Sequence, residues 1–335
     1  MKIRIIDYQQ VRELLDMDTC IGLMAAALST LAEGNANQPL RSAIALRSGK
    51  GLLGLMPAYL ESIDAHAVKA ISVFGGNHGS AYDAHQGVVV LYEGAHGCPV
   101  AVIDGSEVTA IRTAAASGLA TRLLAREDSK TLALIGSGIE ARTHLEAMRC
   151  VRPIEQVRVW SRTSENATSF AEREGDRFGL EISASASVVE AVADADIICT
   201  TTASKQPVLL GSMLPPGCHV NAIGACIPTA RELDSQAVAK ARLYTDRLES
   251  LQHESGDYLF PLREGLIGAD HVCGEIGELL IGKIGGRSDS REITLFKSLG
   301  IGVEDLAAAQ HIYEQSRQRG IGTSLAFGEA PDEDD

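Results

Sequence analysis

A glycine-rich hexapeptide, residues 136–141, is the clearest chemical signal in the sequence. It reads Gly-Ser-Gly-Ile-Glu-Ala and lies directly between an apolar segment with strand character and a helical segment. Gly136 would allow a tight turn, Gly138 would let the backbone approach a pyrophosphate, and Ala141 would let the helix pack close to the strand. The helix N-terminus would offer free N–H groups and partial positive charge to phosphates. The hexapeptide therefore predicts a dinucleotide site. The predicted contacts in this loop are Gly136, Ser137, Gly138, Ile139 and Glu140.

The end of the next predicted strand carries the residues that would select the cofactor. NAD-specific domains commonly place a carboxylate about 20 residues after the loop, where it binds the ribose 2′-hydroxyl. Here the strand ends at Trp160 and is followed by Ser161, Arg162 and Thr163, with no carboxylate to repel a 2′-phosphate. Arg162 can pair with that phosphate, and the two hydroxyls can hydrogen-bond to it. The segment predicts NADPH as the cofactor, with NADH as the alternative.

Two cations stand inside otherwise apolar stretches of the N-terminal third. Lys69 lies within residues 67–73, and Arg112 lies within residues 108–116. Burying such a cation is costly unless a partner or a ligand compensates its charge. Taken singly, each is typical of a salt-bridged or snorkelling side chain. An unpaired cation in such a stretch would have no structural role, so both are candidates for binding an anionic substrate.

The cysteines and histidines have no spacing that suits a metal. Seven cysteines are dispersed along the chain without a CxxC pair, which argues against a structural zinc site and against a disulfide framework. The histidines are equally scattered. We therefore expect no metal and a reducing, cytoplasmic location.

The elements that must position these residues change character near Thr109. Before it, short strands separated by glycine-rich turns such as residues 75–79 predict a small α+β unit with mainly antiparallel strands. From Thr131 onward, strands alternate with helices of 10–15 residues, which predicts βαβ units and a parallel sheet. Beyond residue 275 we expect helix, most clearly at residues 304–319. The predicted strands are Ile3–Ile6, Ala43–Leu46, Ala67–Val73, Gly87–Tyr92, Val100–Ile103, Leu132–Ile135, Val157–Trp160, Glu181–Ser183, Asp196–Thr201, Val220–Ile223 and, as the last, Leu243–Thr245.

These elements predict an α/β protein with two domains. A Rossmann-type, doubly wound parallel sheet over residues 113–299 would bind the dinucleotide. A smaller α+β domain, residues 1–112 with about 300–335, would bind substrate. The length of 335 residues and 45% hydrophobic content fit this division.

The net charge of the chain limits the classes of partner that it can bind. The formal net charge is -14, and the C-terminus, residues 332–335, is entirely acidic. Such a charge repels nucleic-acid phosphates and anionic lipids. No run approaches the roughly 18 apolar residues that would span a bilayer. We therefore expect a small-molecule partner, and neither nucleic acid nor membrane.

Nearly the whole chain resembles the ornithine cyclodeaminase and μ-crystallin family. The segments that carry the resemblance are residues 55–59, 69–77, 109–116, the glycine loop, 221–225, 254–257 and 296–300. The resemblance implies that Arg41, Lys69 and Arg112 hold a substrate carboxylate at the mouth of the cofactor site. It also implies a homodimer formed through the first domain. The residues that it places beside the dinucleotide are Thr113, Thr201, Ile223 and Ser298.

Two departures from the family pattern indicate the branch. Ornithine cyclodeaminases have a Glu where this chain has Gly54, and an Asp where it has Cys226. Without those carboxylates a dibasic substrate loses its counter-charges. The segment around His85 is similar to the ketimine reductase branch, which implies a role for His85 as proton donor or imine contact. Glu254 falls where that branch contacts its ligand.

The sequence therefore predicts an NADPH-dependent reductase of cyclic imino acids. The substrate would be Δ1-pyrroline-2-carboxylate or Δ1-piperideine-2-carboxylate, and the product L-proline or L-pipecolate. Lys69 and His85 are the candidate catalytic residues. The alternatives are an NAD(P)-dependent amino acid dehydrogenase, ornithine cyclodeaminase itself, and a non-catalytic, NADPH-regulated small-molecule binder.

Overall fold

The computed structural model describes residues 1–77 and 80–328. Two of the expectations above, part of the turn at residues 75–79 and the acidic tail, lie outside this range. The strands are β1 (Lys2–Ile6), β2 (Ala36–Asn37), β3 (Ser42–Ala45), β4 (Leu52–Leu60), β5 (Ala65–Val73), β6 (His85–Glu93), β7 (Pro99–Asp104), β8 (Thr131–Ile135), β9 (Gln156–Trp160), β10 (Ile182–Ala184), β11 (Ile197–Thr200), β12 (His219–Ala222), β13 (Arg242–Thr245), β14 (Val272–Glu275), β15 (Thr294–Lys297) and β16 (Thr323–Ala326). The helices are α1 (Tyr8–Leu14), α2 (Met17–Ala32), α3 (Gly105–Leu124), α4 (Ile139–Val151), α5 (Ser164–Phe178), α6 (Val188–Val192), α7 (Ser235–Lys240), α8 (Leu248–Glu254), α9 (Gly256–Arg263), α10 (Ile276–Leu280) and α11 (Gly302–Arg319).

The chain divides into two compact units. The first comprises Met1–Arg112 and Ile301–Asp335, and the second comprises Thr113–Gly300. The division falls within α3, between Arg112 and Thr113. No single helix in the described part of the chain is long and apolar enough to cross a bilayer; α1 and α2 pass that test only as a pair, and the pair is bent by 83°.

The first unit is built on a mixed sheet in the order β16-β1-β7-β6-β5-β4-β2, with β3 paired to β4. Only the β1–β7 pair is parallel among the pairs described, so the sheet is mainly antiparallel, as predicted. Helix α11 packs against β4 and β5 and against α2. Because side chains alternate along a strand, Ala65, Ala67 and Lys69 of β5 all point to the covered face and are buried.

The second unit contains a parallel sheet in the order β10-β9-β8-β11-β12-β15-β13-β14. Its strand pairs are all parallel in the described part of the chain. Every residue of β11, β12 and β15 is buried, as expected for strands with helices on both faces. The predicted α/β class with a parallel dinucleotide-binding sheet is confirmed.

Several elements differ from the prediction. Strand β4 was not expected, because Gly54 and Pro57 interrupt its apolar pattern; pairing along all nine residues with β5 overrides that local signal. The expectation of helix beyond residue 275 is wrong at β15, which pairs between β12 and β13, so Leu243–Thr245 is not the last strand of this sheet. Fully buried strands lack the alternation that identifies a strand in sequence. Helix α3 begins directly after β7, where Asp104 accepts the N–H of Glu107 at 2.8 Å.

Candidate active site

The glycine loop of the second unit joins β8 to α4 as predicted. Gly136 has φ of 125°, and a Cβ there would lie 2.5 Å from Thr201 Oγ1, so only glycine fits. The N–H of Gly136 donates to Trp160 O at 2.8 Å, and that of Thr201 donates to Ile135 O at 2.8 Å. These bonds hold the loop against the ends of β9 and β11. They place Thr201 directly beside the loop.

The N-terminus of α4 fits a phosphate group. Gly138 is the N-cap and makes no side-chain capping bond, and a Cβ built on it would meet nothing within 4 Å in the described part of the chain. The first turn of a helix carries N–H groups without partners in the helix itself. The open space at Gly138 therefore faces a cradle that suits a pyrophosphate. Ala141 is fully buried, which brings the helix close to the sheet.

The residues predicted to select the cofactor follow β9. Ser137 Oγ and Ser161 Oγ are 3.0 Å apart, so the glycine loop and the end of β9 are joined by a hydrogen bond. Arg162 and Thr163 are exposed, and Thr163 is the N-cap residue of α5. The structure thus brings Ser161 to the glycine loop and leaves Arg162 and Thr163 at the solvent-exposed strand end.

A buried carboxylate that sequence reasoning missed organises two strand-end loops. Glu232 is fully buried and accepts hydrogen bonds from Thr200 Oγ1 at 2.8 Å, from Thr202 N at 2.6 Å and from Gly224 N at 2.7 Å. Burial raises the pKa of Glu232. The loops that it ties together follow β11 and β12 and carry Thr201 and Ile223. The motif at residues 221–225 indicated the second loop, but nothing in its local spacing pointed to Glu232.

A second missed carboxylate, Asp246, orients the segment after β15. Its Oδ2 accepts the N–H groups of Leu299 and Gly300, each at 2.7 Å, and lies 3.5 Å from Ser298 Oγ. Ser298 itself is buried, and its N–H donates to Ala222 O at 3.1 Å. Ser298 and Ile223 are therefore held at the carboxyl ends of neighbouring strands, the edge where ligands bind in open parallel sheets.

In the first unit, Lys69 and Arg112 come together in one buried cluster. Lys69 Nζ lies 2.9 Å from both carboxylate oxygens of Asp305 and 3.2 Å from Thr109 Oγ1. Arg112 donates through Nε to Asp305 at 3.0 Å and through NH1 to Glu304 at 2.9 Å. All four charged side chains are at most 4% exposed.

This cluster corrects one premise of the sequence argument. The two cations are not unpaired, because α11 supplies two carboxylates from about 200 residues further along the chain. Burial, and then the charge of Arg112, lowers the pKa of Lys69 to about 8, although Asp305 opposes the shift.

The remaining predicted residues of the first unit lie around the same face of the sheet. Gly54 pairs with Ile71, two residue pairs along the strands from the Met56–Lys69 pair. His85 is exposed and pairs with Val73 of β5. Val73 lies on the same face of the sheet as Lys69, but four residues, about 13 Å, further along the strand. His85 is thus not brought into contact with Lys69.

Two further predicted residues, Arg41 and Glu254, lie at element ends, and a third, Thr113, lies within a helix. Arg41 is partly exposed and directly precedes β3. In the second unit, Glu254 is the last residue of α8, and Thr113 is buried in α3. Cys226 Sγ lies 3.1 Å from Ile223 O, where the thiol fills a partly buried position.

Comparison with known proteins agrees with this architecture. The model of the ornithine cyclodeaminase/mu-crystallin family matches residues 2–320. The chain belongs to this family. It is 39% identical to the ketimine reductase mu-crystallin of Mus musculus over 295 residues, which cover 87% of this chain and 90% of the relative. Its family membership and dinucleotide fold make it an NAD(P)-dependent oxidoreductase of the C=N and CH–NH bond class.

Two solved structures of family members are closely similar. One is Thermococcus litoralis Δ1-pyrroline-2-carboxylate reductase in complex with NADH and L-proline, with a TM-score of 0.94 and 37% identity, covering 96% of this chain and 99% of that one. The other is an archaeal alanine dehydrogenase dimer with bound NAD, with a TM-score of 0.92 and 32% identity, covering 98% of this chain and 100% of that one.

Proposed function

We propose that this enzyme reduces a cyclic imino acid, Δ1-pyrroline-2-carboxylate or Δ1-piperideine-2-carboxylate, to the L-amino acid with NADPH. The observation that carries the proposal is the buried Lys69–Arg112 pair on a face that has no carboxylate at Gly54. A buried cluster of two cations and two carboxylates is costly to retain for stability alone, since apolar side chains serve as well or better. With no carboxylate at position 54 to bind a second amine, these cations suit a substrate with one carboxylate and no second amine.

In this proposal the first unit binds the substrate. Arg41, Lys69 and Arg112 hold the carboxylate, so that the carbon of the C=N bond is oriented for reduction. The dinucleotide, when bound, supplies the hydride. The ring nitrogen must carry a proton for the imine carbon to be electrophilic. Lys69 can hold or release a proton near neutral pH, and His85 is the second candidate for a proton donor.

The second unit binds the dinucleotide. The glycine loop and the N-terminus of α4 hold the pyrophosphate, and Thr113, Thr201, Ile223 and Ser298 lie against the remainder. We propose NADPH rather than NADH because Arg162, with Ser161 and Thr163, favours a 2′-phosphate. The solved relatives named above contain NADH and NAD, so this preference would distinguish the present enzyme.

We also propose a homodimer formed through the first unit. The face of its sheet opposite α11 carries partly exposed side chains around a cavity of about 400 Å³. His66 and Tyr92 stack there with ring centroids 5.0 Å apart, and Pro57 and Val68 line the same cavity. An apolar surface of this kind suits a second copy of the chain. The named alanine dehydrogenase is a dimer, and light scattering on the purified protein would test the proposal.

A second candidate function is an amino acid dehydrogenase that acts on an open-chain amine. The likeness to the archaeal alanine dehydrogenase over 98% of the chain favours it. One experiment separates the two: NADPH oxidation is followed with a panel of cyclic imino acids and with 2-oxo acids plus ammonium. The proposal expects the cyclic imino acids to be reduced much faster. Preferential reduction of pyruvate with ammonium would replace it with the dehydrogenase, and absence of any turnover with retained NADPH binding would favour a non-catalytic binder.

A further inference from the structure

One carboxylate oxygen is shared by both cations of the first unit. Asp305 Oδ1 accepts Lys69 Nζ at 2.9 Å and Arg112 Nε at 3.0 Å. The three residues come from β5, α3 and α11, three elements that are far apart in sequence. We infer that Asp305 is a positioning residue, which locks Lys69 and Arg112 in the arrangement that receives a substrate carboxylate. This inference rests on the proposed function.

The neighbouring carboxylate, Glu304, serves a different purpose. It accepts Arg112 NH1 at 2.9 Å and the N–H of Ile301, at the start of α11, at 3.5 Å. Its contacts thus tie one cation to the helix terminus. Among the described residues, the hydrogen bonds that Asp305 accepts come from Lys69 and Arg112. Glu304 is therefore a matched control: it is buried to the same degree and binds Arg112, whereas Asp305 binds both cations.

The charges that act on Lys69 come from two helices. Helix α3 contributes Arg112 and the Thr109 hydroxyl, and α11 contributes Glu304 and Asp305. Cys20 of α2 interacts electrostatically with Glu304 and Arg112, and burial raises its pKa, so it remains a neutral thiol. Burial and Arg112 lower the pKa of Lys69, whereas Asp305 raises it more than Glu304 does. Removing the charge of Asp305 therefore lowers the pKa of Lys69 further.

The test compares Asp305→Asn with Glu304→Gln. The ratio kcat/KM for Δ1-piperideine-2-carboxylate is measured against pH at saturating NADPH. We expect the alkaline limb of the profile to move to lower pH by about 1–3 units in Asp305→Asn, with a smaller shift in Glu304→Gln. Lys69→Arg should remove this limb, because an arginine does not titrate in this range. A loss of activity in Asp305→Asn with an unmoved alkaline limb, or an equal shift in both variants, would overturn the inference.

A second variant and a binding measurement also test the role of Asp305. Should Asp305→Asn not fold, Asp305→Glu keeps the charge but displaces it by one methylene. The wild-type alkaline limb should then persist while KM rises by about tenfold or more, and an unchanged KM would contradict a positioning role. Binding of pyrrole-2-carboxylate, an unreactive planar carboxylate, is measured by calorimetry across the same pH range. If the wild type reduces no imino acid yet binds this carboxylate with a pH dependence that Asp305→Asn shifts, the proposed function fails and the role of Asp305 stands.

Discussion

Replacing Arg112 by methionine would test the substrate-binding role of the buried cluster. The variant Arg112→Met preserves most of the apolar volume, but Glu304 and Asp305 lose hydrogen bonds of 2.9 and 3.0 Å. Truncating one partner of a buried, hydrogen-bonded charge pair costs roughly 2–5 kcal/mol in binding. At 1.4 kcal/mol per factor of ten, kcat/KM for the cyclic imino acid should fall ~30-fold or more. The variant should also lose about 3–5 kcal/mol of stability, because two carboxylates stay buried with only Lys69 to compensate them.

The assay needs a control that removes an arginine ion pair elsewhere in the same unit. Arg12 pairs with Glu107 at 2.7 Å, but its side chain is 46% exposed. Glu107 of this pair is only 9% exposed, so Arg12→Met should also lower stability, whereas kcat/KM should stay unchanged because Arg12 lies outside the proposed carboxylate site. NADPH affinity can be followed through Trp160, the single tryptophan, which lies at the end of β9 beside the glycine loop.

The predicted pattern for Arg112→Met is reduced turnover, reduced stability and nearly unchanged NADPH affinity. A variant that folds, binds NADPH normally and still reduces the imino acid at near wild-type efficiency would refute the carboxylate assignment. Arg112 would then be a structural residue that neutralises Glu304 and Asp305. A comparable loss in Arg12→Met would show that the activity change reflects general destabilisation.

Three other predictions follow from the same structure. Arg162→Asp should weaken the binding of NADPH and leave the binding of NADH unchanged or improved, as measured by KM for each cofactor. Better use of NADH than of NADPH by the wild type would contradict the proposed preference. L-Ornithine with catalytic NAD should release no ammonia at rates comparable to imine reduction, because Gly54 and Cys226 supply no carboxylate; comparable release would show a lyase. Burial lowers the pKa of His144 to about 4 and of His219 to about 3. Below pH ~6.5 the unfolded chain then binds more protons than the folded chain. The free energy of unfolding should therefore fall as the pH drops from there toward 4, by about 1.4 kcal/mol per pH unit for each of the two histidines. Urea unfolding of His219→Gln should show a shallower fall than the wild type, and equal slopes would count against this origin.

The dinucleotide loop was predictable because all its signals are local. The strand, the glycine turn and the helix N-terminus lie within residues 131–151, and each glycine has a geometric reason visible in the motif itself. The structure agrees at Gly136, because a side chain at this position would clash with Thr201. The parallel sheet followed from the same alternation of short strands and helices. Its exception, β15, pairs with β12 and β13 across a long separation, and no local pattern specified that position.

The cationic cluster shows the opposite case. Lys69 and Arg112 were conspicuous in sequence because each interrupts an apolar stretch. Their partners, Glu304 and Asp305, lie in the first turn of α11, where acidic residues are common because they favour the helix dipole. The helix dipole alone explains these two acidic residues in the sequence. Their second role, as partners of the buried cations, depends on the tertiary contact between α11 and β5, which no local pattern indicates.

The ion pairs of Lys69 and Arg112 affect how these two side chains can bind a substrate carboxylate. With two buried carboxylates opposite two buried cations, the cluster is close to neutral before substrate arrives. An incoming carboxylate must therefore compete with Asp305 and Glu304 for the same donors, and its affinity depends on donor geometry more than on net charge. Arginine and lysine present their donors differently, one as a planar fork and one as a point charge. For this reason Lys69→Arg should alter substrate affinity as well as the pH profile, even though it preserves the charge.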